Sequence, residues 1–415
     1  MSTGWPPFPD GRSAWATVTP KGRAIIRVMR FIVVGGGIGG LTAAIALRRV
    51  GIEVDVYEQA AELREVGAGI GLAINALRAL AVLGLADELQ SESVGALQGR
   101  LRRPSGEVLV SIGADALSRR IGTVAVVHRA ELLNLLLRHL ESNRIHAGYR
   151  CVTVDQDSDG VTAQFDTGET VRADGIIAAD GLRSAVRAQL FGNPTIRYSG
   201  YTAWRTVVNA SDMGPMMGET WGRGCRFGIV PMAKGRTYWF AVKNAPEGQR
   251  DPPMGKKGLI AELFRGWHQP IEALIAASTE DFIIRNDIYD IDPMPRFARG
   301  RIVLLGDAAH PMTPNLGQGA CQAIEDSVVL AALLKSNGKI ESALNEYERR
   351  RVARTRKILL WSRWIGKLAQ IDNPILCSLR DFAMRATPKS SGPHQMTSLL
   401  GAQILSPDEE ALLQS

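Results

Sequence analysis

Cysteine is scarce in this chain, and its few copies lie far apart. The 415 residues include 4 cysteines and 6 histidines, without a C-x-x-C pair or a Cys/His cluster. Because zinc sites and small disulfide frameworks need such clusters, we expect no metal site. The wide spacing favours buried thiols over disulfides and therefore a reducing, cytoplasmic location.

Long runs of one charge and long apolar runs are also missing. The formal net charge is +7, but the first 30 residues hold five basic residues and one acidic residue. No Lys/Arg run of the roughly 5–8 residues that bind nucleic acid appears in the chain. We therefore expect no nucleic-acid partner. The longest uncharged apolar stretch, Phe31 to Leu47, contains five glycines. It falls short of the roughly 18 residues of a membrane helix, so we predict no integral membrane segment.

The remaining composition is that of an ordinary globular protein. Hydrophobic residues make up 45% of the chain, charged residues 22%, and glycine, with 43 copies, is unusually frequent. At about 150 residues per domain, the length predicts two or three domains. Residues 1–28 are rich in Pro and Gly and lack the apolar core of a signal peptide. We predict a disordered extension there, with a transit peptide as the alternative.

The first chemical signal is a glycine-rich turn between two apolar segments. Residues 31–34 have the β-branched character of a buried parallel strand, GGGIGG follows at 35–40, and 41–51 predict a helix. A second strand is predicted over 52–57, and Glu58 ends it. Strand, G-x-G-x-x-G, helix, strand and acid together predict a dinucleotide site.

Each residue of this motif has a separate expected task. Gly35 permits the tight turn, Gly37 lets the backbone approach a diphosphate, and Gly40 lets the helix pack on the strand. The start of the helix favours the negative charge of the diphosphate. Glu58 can accept hydrogen bonds from a ribose and would repel a 2′-phosphate, which indicates FAD or NAD rather than NADP.

A second glycine segment, 67–71, follows charged residues rather than a strand. We interpret it as a loop that passes close to the cofactor, before a helix over 75–84. Because no second complete dinucleotide motif occurs, a separate nicotinamide domain is not expected.

Two further segments place an aspartate at the end of a predicted strand. Residues 171–179 predict one strand that ends in Asp180-Gly181, where Asp180 either binds a ligand or caps the next helix. Residues 301–305 predict another strand, which ends in Gly306-Asp307. Gly317 and Gly319 then precede a helix, where free backbone N–H groups favour an electron-rich acceptor.

Together the three segments, GGGIGG, AADGLRSAVR and GRIVLLGDAAHPMTPNLGQGACQAIED, resemble the fingerprints of the class A FAD-dependent aromatic hydroxylases. The resemblance covers roughly residues 29–365. It implies FAD, with Glu58 on the adenosine ribose and Asp307 on the ribityl side. Arg129, which is alternatively a surface arginine at a helix start, is implied to meet the diphosphate. The full set of implied cofactor contacts is Gly35, Gly37, Gly39, Gly40, Glu58, Gln59, Gly71, Arg129, Cys151, Asp180, Asp307, Pro314, Gly317, Gln318, Gly319, Ala320 and Cys321.

The resemblance also implies a reaction and an architecture. NADH or NADPH would reduce FAD, and O₂ would form a flavin C4a-hydroperoxide that hydroxylates an aromatic or heteroaromatic small molecule. The expected fold is α/β, with a Rossmann-like FAD-binding domain, an antiparallel β-sheet substrate domain and C-terminal helices, in a monomer or homodimer. The expected boundaries are 29–197 plus 285–335 for the FAD-binding domain, 198–284 for the substrate domain, 336–385 for the helices and 386–415 for a loose tail.

Residues 198–290 contain alternating segments that predict antiparallel strands, with Arg205, Arg226 and Tyr238 as catalytic candidates. The segment CRFGIVPMAKGRTYWFAV resembles the urate hydroxylase and salicylate hydroxylase-like branch, in which the matching Arg and Tyr contact the substrate. One position departs from the urate pattern, because Ala203 stands where that branch has Asn. Trp204 and Trp239 either line an aromatic pocket or belong to the core.

Several alternatives stay open at this point. A urate-type purine hydroxylase, an alkene epoxidase and a flavin-dependent reductase fit the same cofactor segments. Arg349–Arg351 with Trp361 and Trp364 indicates either a basic membrane-surface helix or a helix docked on the body with a solvated face.

Overall fold

The computed structural model describes residues 14–18, 24–63, 68–90, 98–112, 124–210, 216–386 and 401–414. The helices are α1 (Ile38–Arg49), α2 (Ile74–Val82), α3 (Ala86–Gln90), α4 (Arg129–Arg138), α5 (Ala185–Phe191), α6 (Gly255–Leu263), α7 (Ile271–Ala276), α8 (Gly319–Ser336), α9 (Ile340–Ala369), α10 (Pro374–Ala386) and α11 (Pro407–Gln414). Short 3₁₀ turns occur at Ser142–Arg144, Glu280–Phe282, Gly306–Ala308 and Pro314–Leu316.

A six-stranded sheet, the cofactor sheet, forms the centre of the first layer. Its strands, in spatial order, are β19 (Ala298–Arg299), β20 (Ile302–Leu304), β13 (Gly175–Ala178), β3 (Arg30–Val34), β4 (Glu53–Glu58) and β9 (Ile145–Ala147). All neighbours are parallel except β19 and β20. The carboxyl ends of β20, β13, β3 and β4 therefore meet at one edge, where α/β sheets bind ligands. Helix α1 packs on this sheet, and α8 packs on α1, through buried apolar residues.

A seven-stranded sheet, the substrate sheet, forms the second layer. Its strands, in spatial order, are β18 (Ile284–Asp290), β14 (Arg197–Asn209), β17 (Arg236–Asn244), β16 (Cys225–Met232), β15 (Met216–Trp221), β6 (Gln98–Arg102) and β7 (Val108–Ile112). All pairs are antiparallel except β15 with β6. The predicted boundary of 198–284 for this layer was too narrow, because residues 98–112 and 284–290 supply strands to the same sheet.

Smaller sheets complete the architecture and correct three expectations. Their strands are β1 (Ala14–Val18) with β2 (Ala24–Val28), β5 (Gly69–Leu72) with β8 (Ala125–His128), and β10 (Cys151–Gln156), β11 (Val161–Phe165) and β12 (Thr170–Ala173). Residues 69–72 thus form a strand, not the predicted loop, and a hairpin lies where a disordered extension was predicted. The single strand predicted over 171–179 is two strands in different sheets. Asp174 separates them, and its carboxylate accepts a hydrogen bond from the Arg30 backbone N–H at 2.8 Å.

The C-terminal helices dock on the body, as predicted, with α9 against α8 and α10 against strand β7 of the substrate sheet. Arg351 of α9 is buried between Glu325 and Asp326 of α8. Its neighbours Arg349 and Arg350 instead pair with Glu346 on the same helix. The arginines at 349–351 therefore take part in ion pairs within the protein, and this part of α9 docks on the body. None of the described helices is both long enough and apolar enough to cross a membrane.

The last described segment departs from the loose tail that the sequence predicted. Leu405 and Leu413 are buried in the main core, and Glu409 pairs with Arg350 at 2.8 Å. Two apolar side chains and one ion pair therefore fix α11 against the body. The rest of the predicted tail, 387–400 and residue 415, lies outside the described residues.

Candidate active site

The glycine-rich turn between β3 and α1 has the form that the sequence predicts for an anion site. Gly35 has φ +108°, and a Cβ there would lie 2.3 Å from the Ala179 carbonyl oxygen. A Cβ on Gly37 would meet no atom within 4 Å, so open space lies in front of this backbone. No side chain caps the start of α1, and its first turn holds no acid. These free N–H groups fit a diphosphate.

Glu58 at the end of β4 holds the neighbouring backbone. Its carboxylate accepts hydrogen bonds from the Gly36 N–H at 2.7 Å and the Ala60 N–H at 2.9 Å. The adjacent Gln59 is exposed. The placement beside the turn fits the ribose role that the resemblance implies, and that role stays a prediction for both residues.

Asp180 bonds the start of α5 through one carboxylate oxygen, and its predicted role in ligand binding stays a prediction. One carboxylate oxygen accepts a hydrogen bond from the Val186 N–H at 3.3 Å, while Ser184 caps α5 by accepting from the Arg187 N–H at 2.9 Å. The other oxygen is buried and has no partner in the described part of the chain. Burial raises the pKa of this carboxyl. An unpartnered buried acceptor at a sheet edge fits a ligand hydroxyl.

Asp307 lies in the 3₁₀ turn that follows β20, beside the start of α8. Its side chain is open to solvent, but protein surrounds it on most sides, and this desolvation raises its pKa. The charges of His310, Arg129 and Arg187 act in the opposite direction. Arg129 is thus close enough to Asp307 to affect its charge, although its own side chain is exposed. Both residues border the same cleft, which fits their implied cofactor roles.

Arg187 was not singled out from the sequence. Its guanidinium donates to the Ala308 carbonyl at 2.9 Å and to the Leu182 carbonyl, so it joins the Asp180 segment to the Asp307 segment. The side chain is 2% exposed. In the sequence, the only sign that this residue joins the two segments is its position in the first turn of α5.

The start of α8 forms the far wall of the cleft. Gly317 has φ +62°, with no atom within 4 Å of a Cβ placed there, and Gln318 is buried with its Nε2 unpartnered in the described part. Cys321 accepts from the Ala73 N–H at 3.5 Å, and its thiol lies 3.7 Å from the Gly71 carbonyl. The helix is therefore tied to the segment that begins at β5.

The implied cysteine contacts are buried thiols. Burial raises the pKa of both Cys151 and Cys321 to about 12. The Asp180 charge also raises the pKa of Cys151, which places this thiol near the cleft. At neutral pH both thiols stay protonated, so neither is a nucleophile. Gly39 and Gly40 lie in the first turn of α1, Pro314 in the 3₁₀ turn, and Gly319 and Ala320 at the start of α8, and their cofactor roles stay predictions.

The three catalytic candidates share one face of the substrate sheet. Arg226 pairs with Val242, Tyr238 with Val230, and Arg205 with Phe240. Because paired residues and residues two apart point to the same side, all three side chains belong to the face that also bears Phe240. We call this the inner face.

Arg226 is the most strongly held of the three. It is 2% exposed and pairs with Glu219 at 3.2 Å, and it also donates to the side-chain oxygen of Asn315. Its Nε has no partner in the described part of the chain. Asn315 belongs to the 3₁₀ turn directly before Gly317. This contact therefore joins the substrate sheet to residues 314–319, which we call the cofactor loop.

Tyr238 makes a second such junction. Its ring lies against Gly69 of β5, where a Cβ would be only 2.4 Å from the ring. Desolvation raises its pKa, an effect that Arg205 opposes and Glu219 reinforces. The phenol therefore stays protonated and can donate a hydrogen bond. Arg205 makes no hydrogen bond or ion pair with the residues that the structure describes.

The two tryptophans do not line this face. Trp239 is fully buried on the opposite side, where it stacks on Phe227 and donates to Ser278 at 3.0 Å. Trp204 belongs to the same cluster beneath α6 and α7. The core interpretation is confirmed, and the aromatic-pocket alternative is wrong.

Sequence reasoning missed the polar partners of the site. Glu219 and Asn315 hold Arg226; Glu219 belongs to no recognisable motif, and Asn315 lies in the third fingerprint segment without having been singled out. Below the cofactor loop lies a buried ion network, formed by His310, Glu325, Asp326, Arg351 and Arg354. The Gly306 N–H and the His310 ring both bond Asp326, at 3.0 and 2.7 Å. Within the described residues, no group of three or more His, Cys, Asp or Glu is arranged to hold a metal ion.

Comparisons with known proteins agree with this geometry. A family model described as an FAD binding domain matches residues 29–362. The chain is 41% identical over 357 residues to an aurachin C monooxygenase/isomerase of Stigmatella aurantiaca, with 85% of this chain and 93% of that protein covered. It is 38% identical over 348 residues to an FAD-dependent urate hydroxylase of Klebsiella pneumoniae, with 81% and 89% covered.

The fold also matches a solved structure over most of its length. The crystal structure of Klebsiella pneumoniae HpxO complexed with FAD and uric acid superposes with a TM-score of 0.84 at 34% identity. The match covers 90% of this chain and 96% of that one. The α/β architecture, with its cofactor layer, its substrate sheet and its C-terminal helices, is confirmed.

Proposed function

The chain belongs to the FAD-binding family of class A flavoprotein hydroxylases and is an FAD-dependent monooxygenase, and from this premise we propose that it uses NADH or NADPH and O₂ to hydroxylate a small aromatic or heteroaromatic ring. Bound FAD supplies the chemistry of O₂ activation and oxygen transfer. The polypeptide binds and orients the reactants, excludes water and controls protons.

One observation carries this proposal. Tyr238 and Arg226 point from the substrate sheet and contact, respectively, Gly69 of β5 and Asn315 of the cofactor loop. A flat ring held between these contacts would lie beside the groups that border the cofactor cleft. The inner face also presents Phe240 and the buried Ala203. A ring with one polar edge and one apolar edge fits this lining.

The cofactor groups fit FAD on the features of this structure. The uncapped start of α1 would hold the diphosphate, the unpartnered oxygen of Asp180 would accept a hydroxyl hydrogen bond, and Asp307 would bond the ribityl chain. The start of α8 would stabilise negative charge near the ring. The sites lie along one cleft at the edge of the cofactor sheet.

Side chains of the inner face would orient the substrate. The unpartnered Nε of Arg226 and the protonated phenol of Tyr238 would each donate a hydrogen bond to a ring substituent, and Arg205 would attract an anionic one. Because Glu219 and Asn315 fix the guanidinium, its direction would be set before the substrate binds. Such preorganisation would favour hydroxylation of the substrate over the release of hydrogen peroxide.

A urate-type purine hydroxylase is the second candidate. The identity to urate hydroxylases and the shared Arg226 and Tyr238 support it. Ala203, however, lies in a small apolar cluster with Tyr201, Val242 and Ile288. An alanine there offers no hydrogen bond to a polar purine edge, so a less polar ring is favoured.

Oxygen incorporation is the experiment that tests the proposed reaction. The FAD-loaded protein should oxidise NADH or NADPH faster when a suitable phenol, aromatic acid or purine is present. Under ¹⁸O₂, mass spectrometry should find one labelled atom in the product. Substrate reduction that proceeds equally well without O₂ would instead assign a flavin-dependent reductase, and an epoxide product would assign an epoxidase.

Asp307→Ala should weaken FAD binding by on the order of 10–100-fold, because a charge-assisted hydrogen bond is worth about 1.5–3 kcal/mol. Fluorescence titration of the apoprotein with FAD measures this change, and denaturation of the wild type should release free FAD. Asp159→Ala, in the exposed turn after β10, is the matched control and should bind FAD normally. Unchanged affinity in Asp307→Ala would reduce Asp307 to a structural turn residue.

A further inference from the structure

An apolar patch covers the outer side of the last two long helices. Seven of the eleven large hydrophobic side chains that are exposed in the described residues lie here. The patch consists of Leu360, Trp361 and Trp364 on α9 and Ile375, Leu376, Leu379 and Phe382 on α10. The exposed fractions reach 75% for Ile375 and 68% for Phe382. Single exposed apolar residues are common, but seven on the outward faces of two consecutive helices mark an interaction surface.

The opposite faces of the same two helices pack against the rest of the protein. On α9, the Ser362 carbonyl accepts from Asn315 at 2.9 Å, and a Cβ on Gly366 would lie 2.4 Å from the same amide. On α10, the Arg380 guanidinium lies 5.4 Å from the Trp221 ring centroid. Packing therefore holds both helices with the patch facing outward. The patch is a surface of docked helices and not part of the hydrophobic core.

The charge around the patch is one-sided. Residues 356–386 contain six basic and two acidic residues. One of the acids, Asp381, is buried and paired with Arg380 and Arg103. Arg356, Lys357 and Lys367 are exposed, and none forms an ion pair with the described part of the chain. Exposed tryptophans beside unpaired cations are the composition that binds the interface of anionic bilayers.

We infer that this patch docks the enzyme on the surface of an anionic lipid bilayer. Insertion of the apolar side chains removes their surface from water, and the flanking cations meet the lipid headgroups. A second copy of the chain fits less well, because a two-fold contact would bring equal positive charges together. The inference is independent of the reaction proposed above and adds a location to it.

Docking would place the substrate site close to the lipid. The patch and the Asn315 contact lie on opposite sides of α9, so they are separated by about one helix diameter, roughly 10 Å. An aromatic substrate that partitions into the headgroup region would then have a short path to the inner face. The surface would raise the local concentration of such a substrate without any change in the catalytic groups.

Vesicle binding by the FAD-loaded enzyme tests the inference. Cosedimentation with phosphatidylcholine vesicles that contain about one third phosphatidylglycerol should exceed that with pure phosphatidylcholine vesicles, and high salt should weaken it. The combined variant Trp364→Ser, Leu379→Ser, Phe382→Ser should bind the anionic vesicles at least about tenfold more weakly. Its melting temperature and FAD content should match the wild type, because all three side chains are exposed.

Phe282→Ser is the matched control, since Phe282 is 67% exposed but lies elsewhere, beside the substrate sheet. It should bind vesicles as the wild type does. Absence of binding to anionic vesicles, or equal loss in the control and the combined variant, would overturn the inference. A dimer in light scattering that the combined variant abolishes would also overturn it and assign the patch to a second copy.

Discussion

Replacing Arg351 with alanine should lower the free energy of unfolding by about 3–5 kcal/mol. The guanidinium is buried between two carboxylates, with Arg351 Nη1 2.6 Å from Glu325 and further donation to Gln322 Oε1 at 2.7 Å. Its removal leaves Asp326 without its main countercharge in a site that excludes water. Denaturant titration of the holoprotein measures the loss.

Arg349→Ala is the matched control for this prediction. Arg349 is two residues away in the same helix, its side chain is 73% exposed, and its only described ion pair is with Glu346. Its loss should change the unfolding free energy by less than about 0.5 kcal/mol. Equal destabilisation by both substitutions would show that helix propensity, and not the buried network, explains the effect.

The pH dependence gives a second readout of the same network. Burial alone would raise the pKa of Asp326, but Arg351 and His310 more than offset it and lower the pKa to about 2. An aspartate with an ordinary pKa of about 3.9 when unfolded therefore stabilises the fold fully above that value, and this contribution disappears as the pH falls toward 2. The difference in unfolding free energy between the wild type and Arg351→Ala should therefore decrease as the pH falls over this range.

Arg226→Ala should reduce hydroxylated product formation by on the order of 100-fold, equivalent to about 2.7 kcal/mol of transition-state stabilisation. The variant loses the donor aimed at the ring substituent and releases Glu219 and Asn315 from their fixed positions. NAD(P)H oxidation should continue, with hydrogen peroxide in place of product. Product yield per NAD(P)H consumed, measured beside FAD content, reports this uncoupling.

Two further substitutions sharpen that result. Arg226→Lys keeps the charge but loses the planar fork, so its yield should lie between those of the wild type and the alanine variant. Arg223→Ala removes a neighbouring exposed arginine that bonds the Asp372 carbonyl, and its yield should be normal. Normal coupling in Arg226→Ala would remove Arg226 from the substrate site and would falsify its assigned role.

Local sequence patterns predicted the parts of the fold whose cause is local. The glycine turn, the strand ends at Asp180 and Asp307, and the helix after Gly319 each depend on neighbouring residues. Long-range partnerships left no such pattern. Nothing near Arg226 indicates a hydrogen bond to Asn315, 89 residues further along the chain.

The same limit explains the errors in the boundaries. Strands β6 and β7 join the substrate sheet across more than a hundred residues of chain, because β6 pairs with β15 in parallel. The alternation of apolar and polar residues indicates that a segment forms a strand, but it does not indicate which other strand it pairs with. In the same way, α11 looks polar in sequence, and only the docked structure shows that its Leu413 is buried.

Because FAD would bind the unpartnered groups along the cofactor cleft, the supply of flavin should affect how much of this enzyme a cell contains. Among the residues that the structure describes, an oxygen of Asp180 and the Nε2 of Gln318 are buried without partners, and each such group costs about 1–3 kcal/mol. Binding of the cofactor to the folded state alone shifts the folding equilibrium by mass action. A cell short of riboflavin would therefore hold more unfolded chain, which proteases degrade, and would lose enzyme as well as activity.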